Sequence, residues 1–145
     1  MTGGQYSPTQ PLDSYSTTTP FGNIESPFDV CNLAQAAGAT WVGRSTSYHA
    51  VQLEKFMVSA LNHTGFSVLD VITNCHISYG RRNKMKSPVD MVKYQKEKAI
   101  AARSAENMSA EELAGRFKTG VLFEKTDKPE FSSEYYKKLE SIKTK

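Results

Sequence analysis

Residues 26–72 decide the fold and read SPFDVCNLAQAAGATWVGRSTSYHAVQLEKFMVSALNHTGFSVLDVI. The pair Ser26-Pro27 followed by Asp29 predicts an N-cap, a first-turn proline and a first-turn acid. We therefore expect a helix through about Ala37, ended by Gly38, which readily adopts a left-handed backbone conformation.

Two apolar segments follow, with a helical pattern between them. Thr40–Gly43 predicts a short strand, and Phe66–Ile72 is β-branched and nearly continuous in apolarity, as is typical of a buried parallel strand. Between them, apolar residues repeat along one helical face: Leu53, Phe56, Met57, Ala60 and Leu61. The order helix, strand, helix, strand indicates an α/β layer with right-handed crossovers, the carboxy-terminal part of a doubly wound parallel sheet.

A second region, residues 81–145, is predicted to be a basic and largely helical extension of the domain at residues 1–80. Ser87-Pro88 with Asp90 predicts a helix to about Arg103, and Ser109 with Glu112 forms a capping-box pattern. Residues 120–123 are a possible last strand, and residues 132–142 a terminal helix.

Composition places the chain among globular proteins. It has 145 residues, 39% of them hydrophobic, and no apolar run long enough to span a membrane. No secretory signal is visible, and Cys31 and Cys75 alone cannot make a disulfide framework, so we expect a reducing, cytoplasmic location.

Charge is distributed unevenly along the chain. Residues 81–103 carry eight basic side chains against Asp90 and Glu97, whereas residues 1–80 are net acidic. A basic stretch of this kind is typical of a solvated face or of a surface for an acidic partner. Nucleic acid is the weaker alternative because the stretch lacks a recurring aromatic platform, although Tyr79 and Tyr94 lie in it or beside it.

The first 25 residues show no regular pattern and contain many Gly, Pro, Ser and Thr residues. A loop of this length is usually functional or disordered. Met1-Thr2-Gly3-Gly4-Gln5 also occurs in a common expression tag, but its continuation here differs from the tag's. The physical interpretation is a glycine turn whose backbone N–H groups can approach a phosphate.

Cys75 follows the predicted strand at Phe66–Ile72, at the edge where open α/β sheets bind ligands. A lone cysteine there is commonly an inert thiol, and it is alternatively one ligand of a metal site completed from elsewhere. Cys31 lies on the apolar side of the first predicted helix, and we interpret it as a core residue.

Several segments, taken in order, resemble one family, the beta subunits of 2-oxoacid:ferredoxin oxidoreductases, with the 2-oxoglutarate type nearest. The resemblance covers residues 1–100 densely and rests on these motifs: Thr2-Gly3-Gly4-Gln5, Ser7-Pro8-Thr9, Gly22-Asn23-Ile24-Glu25, Pro27-Phe28-Asp29, Leu33-Ala34, Ala37-Gly38-Ala39, Gly65-Phe66-Ser67, Cys75 and Tyr79-Gly80-Arg81-Arg82-Asn83.

The resemblance implies a thiamine-diphosphate-binding domain and roles for particular residues. Thr2 would contact the diphosphate or its Mg²⁺ shell, with the Met1 backbone beside it, and Gly3, Gly4 and Gln5 would shape that loop. Cys75 matches the last cysteine ligand of an iron–sulfur cluster in the members that contain one.

The implied reaction converts a 2-oxoacid to its acyl-coenzyme A thioester, with electrons passing to ferredoxin and an alpha subunit completing the site. The family's Gly-Asp-Gly magnesium motif and its other cluster cysteines have no counterpart here. We therefore expect a truncated frame, a gene fragment or a split subunit, inactive alone. A non-catalytic remnant that still docks on an alpha subunit stays open.

Overall fold

The computed structural model describes residues 4–85 and 87–143. The first half contains helix α1 (Val30–Ala36), strand β1 (Trp41–Thr46), helix α2 (Ala50–Asn62) and strand β2 (Ser67–Ile72). A 3₁₀ turn at Gly80–Asn83 follows, and then helix α3 (Pro88–Lys98), strand β3 (Ala99–Ala101) and helix α4 (Ala102–Ala105). The chain continues through helix α5 (Ala110–Leu113), strand β4 (Phe117–Glu124) and helix α6 (Phe131–Lys143).

The four strands form one mixed sheet in the order β2-β1-β4-β3. The predicted α/β layer is confirmed, since β1 and β2 are parallel and joined by the crossover helix α2. The strand suggested at residues 120–123 is β4, which is longer than predicted and pairs antiparallel with β1. Strand β4, which comes from residues 81–145, thus lies inside the sheet. The predicted boundary between a domain at residues 1–80 and an extension at residues 81–145 stays a prediction.

Helix α1 begins later than the sequence pattern predicted. Asp29, not Ser26, is the N-cap, because its carboxylate accepts hydrogen bonds from the amides of Cys31 and Asn32. Cys31 is buried, as expected, and packs with Ala39 and Val42 in the apolar core between α1 and the sheet. The acid predicted for the first turn therefore caps the helix instead.

Helix α2 packs on the sheet through only part of its predicted apolar face. Leu53, Phe56 and Ala60 turn inward, and the Phe56 ring meets the buried Trp41 ring edge-on, 6.4 Å between centroids. Met57 and Leu61 are exposed instead.

Strand β2 is only half-buried, whereas the sequence predicted a buried strand. It is the outermost strand of the sheet on its side, so one edge of it has no neighbouring strand within the described chain.

The helix predicted to run from Ser87 to Arg103 is interrupted. Ser87 caps α3, as expected, and also forms a capping box with Asp90, but α3 ends at Lys98. The next three residues form β3 along β4, because Ala99–Ala101 align with Phe117–Thr119 in parallel register. Sheet pairing has overridden helix propensity there. The predicted capping box, Ser109 with Glu112, is confirmed at α5.

Helix α6 lies within two residues of the predicted terminal helix, and most of its side chains are exposed. None of the helices in residues 4–85 and 87–143 is both long and apolar enough to cross a bilayer.

Candidate functional site

The segment from Gly4 to Asp29 is irregular but internally hydrogen-bonded, with two buried amide side chains at its centre. Asn23 Nδ2 donates to the carbonyls of Gln10 (2.8 Å) and Glu25 (2.9 Å), and its Oδ1 accepts from the Glu25 amide. Gln10 Nε2 donates to the Ser14 carbonyl (2.9 Å). These side chains replace the backbone pairing of a helix or strand, so the segment holds one shape.

A cleft of about 240 Å³ opens beside the start of this loop. Tyr6 and Glu25 line it and are joined, because the Tyr6 hydroxyl donates to Glu25 Oε2. Gly4 precedes the cleft with a φ of +93°, and among the described residues no atom beyond its chain neighbours lies within 4 Å of the position that a Cβ would occupy. Gln5 is exposed. The backbone around Gly4 is thus open to a ligand and has the conformation that favours glycine.

Cys75 is exposed and lies three residues beyond β2. Its carbonyl accepts the amide hydrogens of Gly80 (2.9 Å) and Tyr79 (3.3 Å), which fold the following chain into the 3₁₀ turn. Gly80 packs against Met91 of α3, where a Cβ would come within 2.6 Å of the sulfur. The backbone around Cys75 is therefore supported by α3, while its thiol faces solvent.

Asn83, at the end of the 3₁₀ turn, joins this segment to the loop. Its Oδ1 accepts the Tyr15 amide hydrogen (2.8 Å), and its Nδ2 donates to the carbonyls of Tyr15 (2.6 Å) and Tyr79 (2.8 Å). The structure thus links Tyr15 of the first loop to the turn that follows Cys75.

A charged cluster lies at the N-terminus of α1. Arg44 on β1 donates from Nε to Asp70 and from Nη2 to Asp29, each over 2.7 Å. Burial raises the pKa of Asp29, but the hydrogen bond and charge of Arg44 outweigh it and leave that pKa below its ordinary value. Beneath them, burial raises the pKa of the Cys31 thiol to about 11. This cluster ties α1 to both parallel strands.

The carboxyl end of β1 is covered by α3 through one buried side chain. Gln95 Oε1 accepts from the Ser47 hydroxyl and from the Tyr48 amide, each over 2.9 Å. The Ser47 amide in turn donates to Ile72 O at the end of β2. Part of the edge where α/β sheets bind ligands is therefore closed by the basic extension.

The predicted site residues fall into two groups. Met1, Thr2 and Gly3 lie outside the described residues. Gly4, Gln5 and Cys75 are all exposed. Within residues 4–85 and 87–143, no three His, Cys, Asp or Glu side chains gather into a metal-binding group. A cluster bound at Cys75 therefore needs its other ligands from elsewhere.

Sequence reasoning missed the residues that build the site's frame. Asn83 and Asn23 appeared without a role in the motifs Tyr79-Gly80-Arg81-Arg82-Asn83 and Gly22-Asn23-Ile24-Glu25, and Gln95 and Gln10 were not singled out. These residues are identified by a buried side-chain amide with hydrogen-bond partners, and burial is not known from the sequence alone.

Known proteins resemble this chain both in sequence and in fold. Residues 1–71 match the family described as thiamine pyrophosphate enzyme, C-terminal TPP binding domain. The chain is 42% identical over 144 residues to the 2-oxoglutarate synthase subunit KorB of Methanocaldococcus jannaschii, covering 99% of this chain and 53% of that protein. It is 33% identical over 75 residues to the 2-oxoacid:ferredoxin oxidoreductase subunit beta of Saccharolobus solfataricus, covering 52% of this chain and 25% of that protein.

The fold is shared with a solved structure, the 2-oxoglutarate:ferredoxin oxidoreductase from Magnetococcus marinus with 2-oxoglutarate, coenzyme A and succinyl-CoA bound. The TM-score is 0.71 at 21% identity, covering 95% of this chain and 47% of that one. The chain spans about half the length of the curated relatives it matches along its whole length. It belongs to the family of beta subunits of 2-oxoacid:ferredoxin oxidoreductases.

Proposed function

We propose that this chain supplies the carboxy-terminal half of a thiamine-diphosphate-binding beta subunit. In that subunit a 2-oxoacid of the 2-oxoglutarate type is oxidatively decarboxylated to its coenzyme A thioester, and the electrons pass to ferredoxin. The observation that supports the proposal is the Asn83 contact, which joins Tyr15 of the first loop to the turn after Cys75 in a domain of this family.

The chain's part in cofactor binding is assigned to its first loop. Met1, Thr2, Gly3, Gly4 and Gln5 are proposed to lie against the diphosphate and its Mg²⁺. The fit is supported at Gly4, since its open backbone lets N–H groups approach a phosphate oxygen without a side chain in the way. The Tyr6–Glu25 hydrogen bond closes the loop immediately after Gln5 and so limits its possible positions.

Thiamine diphosphate supplies the carbanion chemistry, and the protein binds and orients it. In the described chain, the side-chain amides of Asn23 and Gln10 fix the conformation of the loop through hydrogen bonds to its own backbone carbonyls. We assign no proton transfer to this chain, and the alpha subunit is proposed to complete the site.

Cys75 is proposed as one thiolate ligand of an iron–sulfur cluster. Its exposed thiol leaves room for a cluster whose other ligands come from outside this chain. Arg81 and Arg82 are exposed on the turn that follows, and the Arg81 amide donates to the His76 carbonyl (3.1 Å). Positive charge beside Cys75 suits the approach of an acidic ferredoxin. Both cysteines are free thiols, consistent with the proposed cytoplasmic location.

The test pairs two cysteine variants in the assembled enzyme. The chain is co-expressed with an amino-terminal half of a beta subunit of this family and with the alpha subunit. The complex should reduce ferredoxin only with 2-oxoglutarate, coenzyme A and thiamine diphosphate together. Cys75→Ser should lose iron, acid-labile sulfide and ferredoxin reduction, whereas Cys31→Ser, a change at a buried thiol, should keep all three.

Two outcomes would contradict the proposal. Full iron content in Cys75→Ser removes Cys75 from the ligand set. A complex that contains this chain, yet neither binds thiamine diphosphate nor oxidises any 2-oxoacid, leaves only the family relationship.

A further inference from the structure

One side chain in the structure satisfies both backbone groups of a residue 68 positions away. Asn83 accepts from the Tyr15 amide over 2.8 Å and donates to the Tyr15 carbonyl over 2.6 Å. This two-point contact is the one a neighbouring strand makes in a sheet, supplied here by a single amide. It fixes both the position of Tyr15 and the direction of its backbone.

Both ends of the contact are held by other bonds. On the loop side, Ser14 accepts the Gln10 side chain and the Asn23 amide at its carbonyl, so Tyr15 belongs to the ordered loop. On the other side, Asn83 Nδ2 also donates to the Tyr79 carbonyl over 2.8 Å. The Tyr79 amide in turn donates to Cys75 O. A continuous hydrogen-bonded path thus runs from the loop to the residue proposed as a cluster ligand.

We propose that Asn83 is a positioning residue that holds the loop beginning at Gly4 in a defined place relative to the Cys75 segment. The functional half of this statement rests on the proposed function, since it takes the loop to bind the cofactor and Cys75 to bind the cluster. Asn83 acts through Tyr15 and Tyr79 and contacts neither group itself.

Aspartate, serine and alanine cannot make all three bonds of this contact. An aspartate keeps the acceptor for the Tyr15 amide but turns a carboxylate oxygen toward two carbonyl oxygens. A serine is too short to bond Tyr15 twice, and alanine removes all three bonds. Asn83→Asp, although equal in size, should therefore fail to restore the contact that Asn83→Ala removes.

Hydrogen exchange at the Tyr15 amide is the direct test, measured at single-residue resolution in the full chain within its assembled complex. Asn83→Ala should speed that exchange by about tenfold or more, since the amide loses its acceptor and the loop its tether. Amides of the central strand β1 should exchange as before. Asn32→Ala, at an exposed asparagine on α1, is the matched control and should change neither.

Cofactor titration tests the functional half. In the assembled enzyme, Asn83→Ala and Asn83→Asp should weaken direct thiamine diphosphate binding about five- to tenfold. Without its tether the loop is disordered when the cofactor is absent, so binding must include the entropic cost of ordering it. The maximal rate at saturating cofactor should stay near that of the unsubstituted enzyme. A variant that merely unfolds would instead lose maximal rate and β1 protection together.

Each result decides one part of the proposal. Unchanged Tyr15 exchange in Asn83→Ala overturns it entirely. Faster exchange with unchanged cofactor affinity overturns the positioning role and leaves only a structural contact. An unsubstituted complex that binds no thiamine diphosphate refutes the proposed function and the positioning role with it, and the exchange comparison then judges the contact alone.

Discussion

Arg44 on β1 and Asp70 on β2 lie directly opposite each other in parallel strands, and Arg44 Nε donates to Asp70 Oδ2 over 2.7 Å. The Arg44 side chain is only 12% exposed, and its second nitrogen reaches Asp29 at the N-terminus of α1. One guanidinium thus links two strands and a helix. Its charge is compensated by two carboxylates, as a buried charge requires.

Removing either member of the Arg44–Asp70 pair should destabilise the chain. Asp70→Asn should lower the free energy of unfolding by about 2 kcal/mol, and Arg44→Met by about 3 kcal/mol, because the latter leaves two carboxylates unpaired. Urea unfolding followed by fluorescence of Trp41, the single and fully buried tryptophan, measures both.

The control for that pair is an exposed ion pair on α6. Lys137 and Glu134 are 2.7 Å apart, but their side chains are 71% and 48% exposed. Lys137→Met should therefore cost less than about 0.5 kcal/mol. Equal losses for Lys137→Met and Arg44→Met would mean that burial does not strengthen the Arg44 contacts.

Stability should fall at acidic pH partly through Asp29. Its pKa in the folded chain lies below the ordinary value of 3.8, since the contacts from Arg44 and two backbone amides outweigh the effect of burial. A depressed pKa stabilises the fold above the unfolded value, and this contribution is lost as pH falls below about 3.8.

Asp29→Asn isolates this acid effect, because asparagine caps a helix as well as aspartate does but does not titrate. Between pH 5 and about pH 3, the urea midpoint of the variant should fall less than that of the unsubstituted chain. Asp13→Asn, a change at a loop acid, is the comparison. Identical pH profiles for all three proteins would rule out a role for the Asp29 carboxylate.

Local signals in the sequence predicted much of the layer that carries the site. The N-cap at Ser87, the capping box at Ser109 and the inward-facing Leu53, Phe56 and Ala60 follow from local sequence patterns, and the structure confirms them. Met57 and Leu61 belong to the same predicted apolar face of α2 but are exposed. The width of a helix face that becomes buried depends on the elements that pack against it, which the helix sequence does not specify.

Features that depend on distant partners were missed. β3 interrupts a predicted helix because β4, which lies 16 residues beyond it, offers a pairing edge, and nothing in Ala99–Ala101 alone signals that. The order in the first loop comes from Asn23, and its link to the Cys75 segment from Asn83. The sequence around an asparagine does not show whether its side chain is buried or solvated. The roles of Asn23 and Asn83 therefore became known only from the tertiary structure.

The two cysteines should react at very different rates. Cys75 is exposed, whereas Cys31 is 3% exposed and burial raises its pKa to about 11, so almost none of it is thiolate near neutral pH. Iodoacetamide should therefore label only Cys75 in the native chain freed of any cluster, and both cysteines in urea. Peptide mass mapping distinguishes them, and Cys75→Ser should abolish native labelling. Fast labelling of Cys31 would show that the core between α1 and the sheet opens readily.

Gln95 should contribute strongly to stability although it is polar. It is 2% exposed and accepts from the Ser47 hydroxyl and the Tyr48 amide. Gln95→Leu removes the shared acceptor of two part-buried hydrogen bonds, which should cost about 2 kcal/mol in urea unfolding, about 1 kcal/mol for each bond. Gln35→Leu, the same change at an exposed position of α1, should cost less than about 0.5 kcal/mol. Similar costs at the two positions would mean that α3 does not hold the end of β1.

Gly65 joins α2 to β2 at a place where no side chain fits. Its φ is +139°, and a Cβ there would lie 2.2 Å from Thr40 Oγ1. That hydroxyl accepts the Phe66 amide hydrogen (3.0 Å) and contacts His63 Nε2 (2.9 Å), so it cannot move without breaking both bonds. Gly65→Ala should therefore cost about 3 kcal/mol, from steric displacement and backbone strain together.

Gly115→Ala separates the two causes, because Gly115 has a φ of +67° but, among the described residues, nothing beyond its chain neighbours within 4 Å of its added Cβ. That variant should lose only about 1 kcal/mol, and a loss at Gly65 no larger than this would show that the Thr40 hydroxyl yields to a methyl group.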